Sequence, residues 1–182
     1  MSPAGGKQEI LVLVDDADNE LGTDTRENCH QGSGKRHRAY TVFLFHSGKL
    51  LLQQRSEKKV LWPGSWDVSF TSHVYPGESY EQAAKRKGRQ ELDAEFGPLT
   101  HVHSFVYFAP QGDWAENEFC KLFVGEFDGK VNPNPDEIRA TKWVTLRGLK
   151  SDLQSNPSDY TPWLKLSLEG FLKSPISKKY GA

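Results

Sequence analysis

The stretch SHVYPGESYEQAAKRKGRQELDA, residues 72–94, reads as the end of a strand, a turn and a helix. Pro76 and Gly77 interrupt the strand pattern, as residues of a turn do. Ser79 is followed three residues later by Gln82, the spacing of a capping box, in which the two residues satisfy free backbone N–H groups at a helix start. The sequence therefore predicts a helix that begins at Ser79.

This helix is predicted to continue to about Phe96, because Gly97–Pro98 cannot extend it. Lys87 and Glu91 lie four residues apart and share one face of the helix. Gly88 inside a helix costs about 1 kcal/mol relative to Ala, which indicates close packing at this point. In this helix, basic and amide residues occupy positions at which catalytic helices that follow a similar turn carry carboxylates.

The segment WDVSFTSHV, residues 66–74, precedes the turn and alternates strictly between apolar and polar residues. Such alternation predicts one strand with two different faces. The apolar face carries Trp66, Val68 and Phe70, and the polar face carries Asp67, Ser69, Thr71 and His73.

The rest of the chain follows an α/β pattern. Further strands are predicted at 9–14, on both sides of a turn at 46–49, and at 101–110, 117–127 and 140–146. Two helices are predicted, a short one through Leu149 and Leu153 and a last one opened by Pro162. Residues 15–22 are typical of a surface loop and residues 25–40 of an irregular polar segment. We predict one domain over residues 1–182, with a core at about 9–173 and a flexible tail at 174–182.

Composition excludes several classes of partner. The 182 residues include 23 basic and 24 acidic side chains, and a net charge of -1 does not favour nucleic acid or an anionic membrane. Neither a signal-peptide pattern nor a run of about 18 apolar residues is present, so a cytoplasmic protein, monomeric or homodimeric, is expected. Cys29 and Cys120 form no metal spacing and are interpreted as free thiols.

Imidazoles and carboxylates occur at positions where a metal site could form. Glu116 and Glu118 lie two residues apart in a predicted strand and point to the same face. His73 lies on a polar strand face, and His30 and His37 lie in the irregular polar segment. Each of these alone is typical of a solvated surface. If they converge, three histidines and two glutamates suit a divalent transition metal and leave one octahedral position open.

The motifs NCHQGSGKRHRAY, LLQQRSEKKVLWPGSWDVSFTSH, GESYEQAAKRKGRQEL, ENEFC and YTPWLKL occur in this order between about Val12 and Trp163. Together they resemble the type I isopentenyl-diphosphate isomerases, a family with the Nudix fold. The resemblance implies a mixed sheet packed between helices. It also implies a divalent metal, Mn, Zn or Mg, bound by His30, His37, His73, Glu116 and Glu118, and a magnesium ion that arrives with the substrate and is bound by Glu91.

In this family the reaction is a 1,3-allylic proton shift that interconverts isopentenyl and dimethylallyl diphosphate in isoprenoid biosynthesis. The resemblance implies Glu118 as the proton donor, next to Tyr107, and Trp163 as the aromatic face for a carbocation. It also implies four diphosphate-binding cations, Arg26, Arg55, Lys59 and Lys87.

The sequence differs from the hydrolytic Nudix enzymes in one feature and from the isomerases in another. Hydrolytic helices read R-E-U-x-E-E-x-G, whereas residues 86–93 read RKGRQELD and keep one of three glutamates. The second acid–base residue of the isomerases is a cysteine, and Thr71 stands at that position. An alcohol exchanges protons far less readily than a thiol with a pKa of about 8.5, so Thr71 is expected to relay a proton at a lower rate.

Two alternatives remain open at this point. A Nudix hydrolase could cleave isoprenoid or nucleoside diphosphates, with Glu91 and Glu78 holding magnesium. A non-catalytic protein could retain the diphosphate pocket without the chemistry. Release of phosphate, isomerisation without release, or neither would separate the three classes.

Overall fold

Nine strands form one mixed sheet in the computed structural model, which describes residues 8–181. The strands are β1 Ile10–Val14, β2 Glu20–Thr25, β3 His37–His46, β4 Lys49–Arg55, β5 Trp66–Asp67, β6 Phe70–His73, β7 Thr100–Gln111, β8 Trp114–Glu126 and β9 Ile138–Val144. The helices are α1 Arg26–His30, α2 Tyr80–Leu92, α3 Leu146–Ser155 and α4 Pro162–Lys173, with 3₁₀ helices at Pro157–Asp159 and Pro175–Tyr180. Within residues 8–181, none of the helices has the length and apolar character needed to cross a membrane.

Strand β3 is the centre of the sheet. It pairs in parallel with β8 from His37 to Phe45, and antiparallel with β1, β4 and β6. The predicted hairpin between β3 and β4 turns at Ser47 and Gly48, both with positive φ. Residues 39–45 are all fully buried, as expected for a strand covered on both faces.

Each face of the sheet has its own apolar layer. On one face, Phe43 packs against Phe171 of α4, with ring centroids 5.6 Å apart. On the other face, Tyr40 lies under α2 and its hydroxyl donates to the Ala83 carbonyl at 2.7 Å. Successive side chains of β3 point to opposite faces of the sheet, so His37, Ala39 and Thr41 lie on the α4 face together with Phe43. The polar site therefore forms on the α4 face.

The predicted capping box of α2 is present, with both Ser79–Gln82 hydrogen bonds formed. The helix ends at Leu92 rather than at Phe96, because Asp93 adopts a left-handed conformation with φ 51°. The prediction placed the end too late because it relied on Gly97–Pro98 and overlooked an aspartate that tolerates this conformation.

Gly88 packs closely against a neighbour, as predicted. A β-carbon at this position would lie 2.4 Å from Cε1 of Phe96, which folds back onto the helix after the turn at Asp93. The Phe96 ring also lies 5.5 Å from the ring of Phe70, measured between centroids. Glycine is therefore required here by a ring that packs between helix and sheet.

The prediction of one alternating strand at residues 66–74 is wrong. The segment forms two short strands, β5 and β6, with Val68 and Ser69 between them. Val68 joins the apolar layer under α4 and Phe70 joins the layer under α2, whereas Asp67 and Ser69 are both fully buried. The break at Val68 and Ser69 lets the chain change partner strands, since β5 pairs with β4 and β6 pairs with β3.

Two segments predicted as loops contain regular structure. Strand β2 begins at Glu20, inside the predicted loop at 15–22, and pairs with β1. The polar segment at 25–40 contains α1, whose start is capped by the Thr25 side chain accepting from the Asn28 N–H at 3.2 Å. Both elements are short, and their local sequences carry too little apolar periodicity to indicate them.

The described part of the predicted flexible tail, residues 174–181, packs onto the domain. Tyr180 is 6% exposed and stacks on Phe45, with ring centroids 3.9 Å apart. Ser177 is also buried and donates to the Ser174 carbonyl. Tyr180 thereby joins the core under α4, which the sequence prediction had ended at residue 173.

Candidate active site

Three histidines from three elements converge on the α4 face of the sheet. His30 ends α1, His37 begins β3 and His73 ends β6. Their ring centroids lie 4.7 to 5.1 Å apart. Together with Glu116 of β8, they offer ligand atoms that all lie within 4.8 Å of one another, and all four residues are buried.

Backbone carbonyls orient two of these rings. Nδ1 of His30 lies 2.7 Å from the Arg26 carbonyl oxygen and Nδ1 of His37 lies 2.8 Å from the Lys35 carbonyl oxygen. Each Nδ1–H donates to its carbonyl, so each Nε2 presents a lone pair to the cluster. The Nε2 atoms of His30 and His37 and Oε2 of Glu116 are buried without a hydrogen-bond partner among residues 8–181, although His30 Nε2 and Glu116 Oε2 approach to 3.0 Å. This donor set fits a divalent metal ion.

Glu118 lies beside the cluster and connects it to Tyr107. Its Oε1 is 3.5 Å from His37 Nε2 and 3.2 Å from His73 Nε2. The Tyr107 hydroxyl donates to Oε2 at 2.6 Å. Sheet register explains the grouping, because Glu118 pairs directly with His37 on one side and with Tyr107 on the other.

Burial and mutual charge shift the titration of this group. Burial raises the pKa of Glu118, but the hydrogen bonds from His37 and Tyr107 and the charges of His37 and His30 together outweigh burial, so the net shift is downward. Burial and the positive charge that His37 and His30 would carry lower the pKa of His73 well below its usual value. Burial, reinforced by the charge of Glu118, raises the pKa of Tyr107 well above its usual value, and the phenol therefore stays protonated.

The four cations predicted to bind a diphosphate line one cavity of about 90 Å³ together with Thr71, His73, Tyr107, Glu116, Glu118 and Trp163. Three helices, α1, α2 and α4, and several strands contribute to its wall. A larger surface groove of about 410 Å³, lined in part by Tyr80, Lys121 and Phe123, contains none of the predicted site residues. The small polar cavity, rather than the large groove, is therefore the candidate active site.

Acidic side chains pair with every one of these cations. Lys87 Nζ lies 2.9 Å from Glu91 Oε1, and Lys59 Nζ lies 3.4 Å from the same oxygen. Both lysines also approach Glu137, whose pKa falls to about 2 because their positive charges outweigh its partial burial. Arg26 pairs with Glu9 at 3.2 Å and Arg55 with Asp67 at 3.1 Å.

Thr71 and Trp163 occupy different parts of the cavity wall. The Thr71 hydroxyl donates to the Tyr40 carbonyl at 2.8 Å, which leaves the oxygen lone pairs as acceptors. Trp163 is 2% exposed, and its indole N–H donates to Asp67 Oδ1 at 2.6 Å. The Tyr107 and Trp163 ring centroids are 6.3 Å apart, so the phenol and the indole border the same space.

Glu91 and Glu78 lie in different surroundings. Glu91 is buried and contacts Lys59, Lys87 and Gln53 rather than the histidine cluster. Glu78 is held by Arg86 through two hydrogen bonds of 2.7 and 2.9 Å and does not line the cavity. The two carboxylates therefore do not form a shared open site.

Three carboxylates in or behind the cavity wall were missed or left without a role by sequence reasoning: Glu9, Asp67 and Glu137. Glu9 and Glu137 lie among many surface acids and carry no local signal. Asp67 was placed on a polar strand face, but its partners Thr161 and Trp163 lie more than ninety residues further along the chain.

Comparison with known proteins agrees with this geometry. Residues 35–164 match the NUDIX domain family, and the crystal structure of DR0079 from Deinococcus radiodurans superposes with a TM-score of 0.71 at 25% identity, covering 87% of this chain and 97% of that one. The MutT NUDIX hydrolase from Burkholderia pseudomallei shares the fold, with a TM-score of 0.62 at 20% identity over 75% and 98% of the two chains. The fold and the site thus define a Nudix protein, and the predicted α/β architecture is confirmed.

Sequence relatives narrow the class further. The isopentenyl-diphosphate Delta-isomerase of Serratia proteamaculans is 39% identical over 157 residues, which cover 85% of this chain and 87% of the relative. Isopentenyl-diphosphate Delta-isomerase 1 of Mesocricetus auratus is 36% identical over 187 residues, covering 90% and 82%. The chain therefore belongs to the isopentenyl-diphosphate Delta-isomerase family of the Nudix superfamily.

Proposed function

We propose that this protein interconverts isopentenyl diphosphate and dimethylallyl diphosphate by a metal-dependent 1,3-allylic proton shift. The observation that carries the proposal is the convergence of the histidine–glutamate cluster with the Tyr107–Glu118 pair in a cavity that also contains Lys59 and Lys87. The names of its relatives support the same reaction. A cytoplasmic location and a monomeric or homodimeric state remain predictions.

Five residues would hold the metal: His30, His37, His73, Glu116 and Glu118. When bound, a divalent cation supplies a positive charge that organises the carboxylates and makes proton release from a neighbouring acid easier. The unpartnered Nε2 and Oε2 atoms support this assignment. Manganese, zinc and magnesium are all compatible with this mixture of imidazole and carboxylate ligands.

Proton transfer requires an acid and an acceptor around the five-carbon chain. Glu118 donates a proton to the terminal alkene carbon, and Tyr107 holds Oε2 in place through its hydrogen bond. A proton must then leave the carbon next to the diphosphate-bearing end. Thr71, with its lone pairs free, relays that proton through a bridging water to solvent, and Glu118 takes up a proton from solvent before the next turnover, so a full cycle leaves the protonation of the protein unchanged.

The intermediate is a tertiary carbocation, and water would destroy it. The face of Trp163 stabilises this cation, an interaction of about 2 kcal/mol when the partners are desolvated. Trp163 and Tyr107 are both buried, so their rings are shielded from bulk water.

The diphosphate is bound by Arg26, Arg55, Lys59 and Lys87. Lys59 and Lys87 are engaged by Glu91 and Glu137 in the structure. A magnesium ion that binds Glu91 together with the diphosphate would neutralise this carboxylate and leave both lysines to the phosphate oxygens. Hydrolysis is not favoured, because Glu78 is fully engaged by Arg86 and Lys87 stands where a hydrolytic helix carries glutamate.

A single incubation tests the proposal. Protein is mixed with isopentenyl diphosphate, Mn²⁺ and Mg²⁺ in deuterated water, and deuterium uptake, dimethylallyl product and released phosphate are followed together. Deuterated dimethylallyl diphosphate without phosphate is the expected result. Phosphate release without isomerisation would instead identify a hydrolase, and a bound but unchanged substrate would identify a diphosphate-binding protein.

A further inference from the structure

Asp67 is a fully buried carboxylate that lies behind the candidate active site. It is 0% exposed and belongs to the two-residue strand β5. Oδ1 accepts hydrogen bonds from the Trp163 indole N–H at 2.6 Å, from the Val68 N–H at 2.7 Å and from the Thr161 hydroxyl at 3.1 Å. Oδ2 accepts from Arg55 at 3.1 Å.

These partners are all placed as donors, the arrangement that an ionised carboxylate requires. Complete burial raises the pKa of Asp67, and the charge of Arg55 and the hydrogen bonds from Val68 and Trp163 offset this only in part, so the net shift is upward. Isolated ionised carboxylates are very costly in an apolar interior, so the Arg55 ion pair is what makes this one tolerable.

Arg55 is held in place by hydrogen bonds within the protein that use three of its five N–H groups and leave two for a substrate. Its Nε contacts the carbonyls of Leu61 and Trp62 at 3.1 Å, and one terminal nitrogen donates to Leu61 at 2.8 Å. The other terminal nitrogen donates to Asp67. The guanidinium carbon also lies 5.2 Å from the centre of the Trp163 ring. Arg55 therefore forms a fixed wall of the cavity rather than a freely mobile cation.

An anion at the N–H end of an indole pushes electron density toward the ring. Hydrogen bonds to a charged acceptor polarise the donor group more strongly in a low-dielectric site than in water. A ring that is richer in electrons attracts a cation over its face more strongly. The short contact between Asp67 and Trp163 therefore links a buried negative charge to the aromatic face that borders the cavity.

We propose that Asp67 is a positioning residue that fixes Trp163 and Arg55 and strengthens the attraction of the Trp163 ring for the cationic intermediate. This inference rests on the proposed isomerase function. It assigns to Asp67 a contribution to cation binding that is separate from diphosphate binding, since the proposed function gives Trp163 the hydrocarbon part of the substrate and the lysines the phosphates.

Two ligands of nearly equal shape separate these contributions. 2-(Dimethylamino)ethyl diphosphate is protonated at neutral pH and places a positive charge at the position of the tertiary carbon, whereas 3-methylbutyl diphosphate is neutral there. Both dissociation constants are measured by titration calorimetry in the presence of Mn²⁺ and Mg²⁺. The ratio of the two constants reports preference for the cation, and changes in diphosphate binding cancel in it.

The Asp67→Asn variant is expected to lower this preference about fivefold or more, since it removes the charge but retains an oxygen acceptor. Asp18→Asn is the matched control, because Asp18 is a poorly exposed carboxylate paired with Arg38 and Lys121 and does not line the cavity. In the Trp163→Phe background, which lacks the indole N–H, Asp67→Asn should cause no further loss of preference.

An unchanged preference in Asp67→Asn, or a wild-type protein without preference for the ammonium ligand, would overturn the proposal. If Asp67→Asn does not fold, the double variant Arg55→Gln with Asp67→Asn replaces the ion pair by two amides, and the same loss is expected. Failure of the isomerase function is recognised separately, since deuterium uptake by the wild-type protein does not depend on these binding ratios.

Discussion

Thr71 is expected to limit the rate of the proposed reaction, because an alcohol exchanges protons far less readily than a thiol. Thr71→Val keeps the side-chain shape but removes the oxygen, and turnover is expected to fall about 100-fold because an acid–base group is lost. Thr71→Cys should raise the rate above wild type, since a thiol exchanges protons near neutral pH. Initial rates of dimethylallyl diphosphate formation measure both effects.

Ser72→Ala is the control for this series, because Ser72 is the adjacent hydroxyl on the same cavity wall. It is expected to leave the rate within about twofold of wild type, since Ser72 takes no part in the proposed proton transfers. Equal rates for wild type and Thr71→Val would contradict the relay role.

At the scale of residues, the alternation of side chains along a strand predicted part of the site. Two-residue spacing placed Glu116 and Glu118 near one another, and the structure places both on the cavity wall. The convergence of His30 and His37 could be expected only from the family resemblance, since their approach depends on α1 and on the pairing of β3 with β8. Asp67 could not be predicted, because its role depends on α4, which is distant in sequence.

At the scale of elements, helix α2 begins with a stabilising capping box but contains Gly88, which lowers its helix propensity. Gly88→Ala would gain about 1 kcal/mol in helix propensity, but its β-carbon would lie 2.4 Å from a Phe96 ring atom. Overpacking of this kind costs about 1–3 kcal/mol, so we expect a net loss of unfolding free energy in chemical denaturation.

A double-mutant cycle isolates this contact. In a Phe96→Ala background the ring is absent, and Gly88→Ala should then stabilise the protein by about 1 kcal/mol. The same destabilisation in both backgrounds would show that Phe96 is not the reason for the glycine.

Local signals determined how well each element was predicted. The start of α2 follows from two side chains three residues apart, and sequence alone identified it. The split between β5 and β6 follows instead from pairing with two different strands, which no periodicity within residues 66–74 encodes. Helix α1 is only five residues long and depends on its Thr25 cap and on contacts with the sheet.

At the scale of the whole molecule, the C-terminal 3₁₀ helix closes the core under α4. Tyr180→Ala should lower the unfolding free energy by about 3 kcal/mol, because a buried aromatic side chain stacked on Phe45 is removed. Lys178→Ala, an exposed position in the same helix, should change it by less than about 0.5 kcal/mol. Equal effects of the two substitutions in denaturant titrations would indicate that this segment does not contribute to the core.

Metal binding should connect the N-terminal segment to the rest of the fold. His30 lies in α1, before the loop that contains Lys35 and Arg36, whereas His37, His73 and Glu116 belong to the central sheet. A metal held by all four would therefore fix the loop between α1 and β3 against the sheet. We expect Mn²⁺ or Zn²⁺ to slow tryptic cleavage at Lys35 and Arg36, and EDTA to reverse the protection.

The stabilisation should also depend on metal concentration. Binding to the folded state alone contributes about 2.7 kcal/mol when the free metal is one hundred times its dissociation constant. His73→Ala is the decisive control, because it removes a ligand from β6 and leaves the cleaved loop unchanged. Protection that persists in His73→Ala, or cleavage rates that are equal with metal and with EDTA, would mean that the histidines do not act as one site, because a shared ion must couple the loop to the sheet.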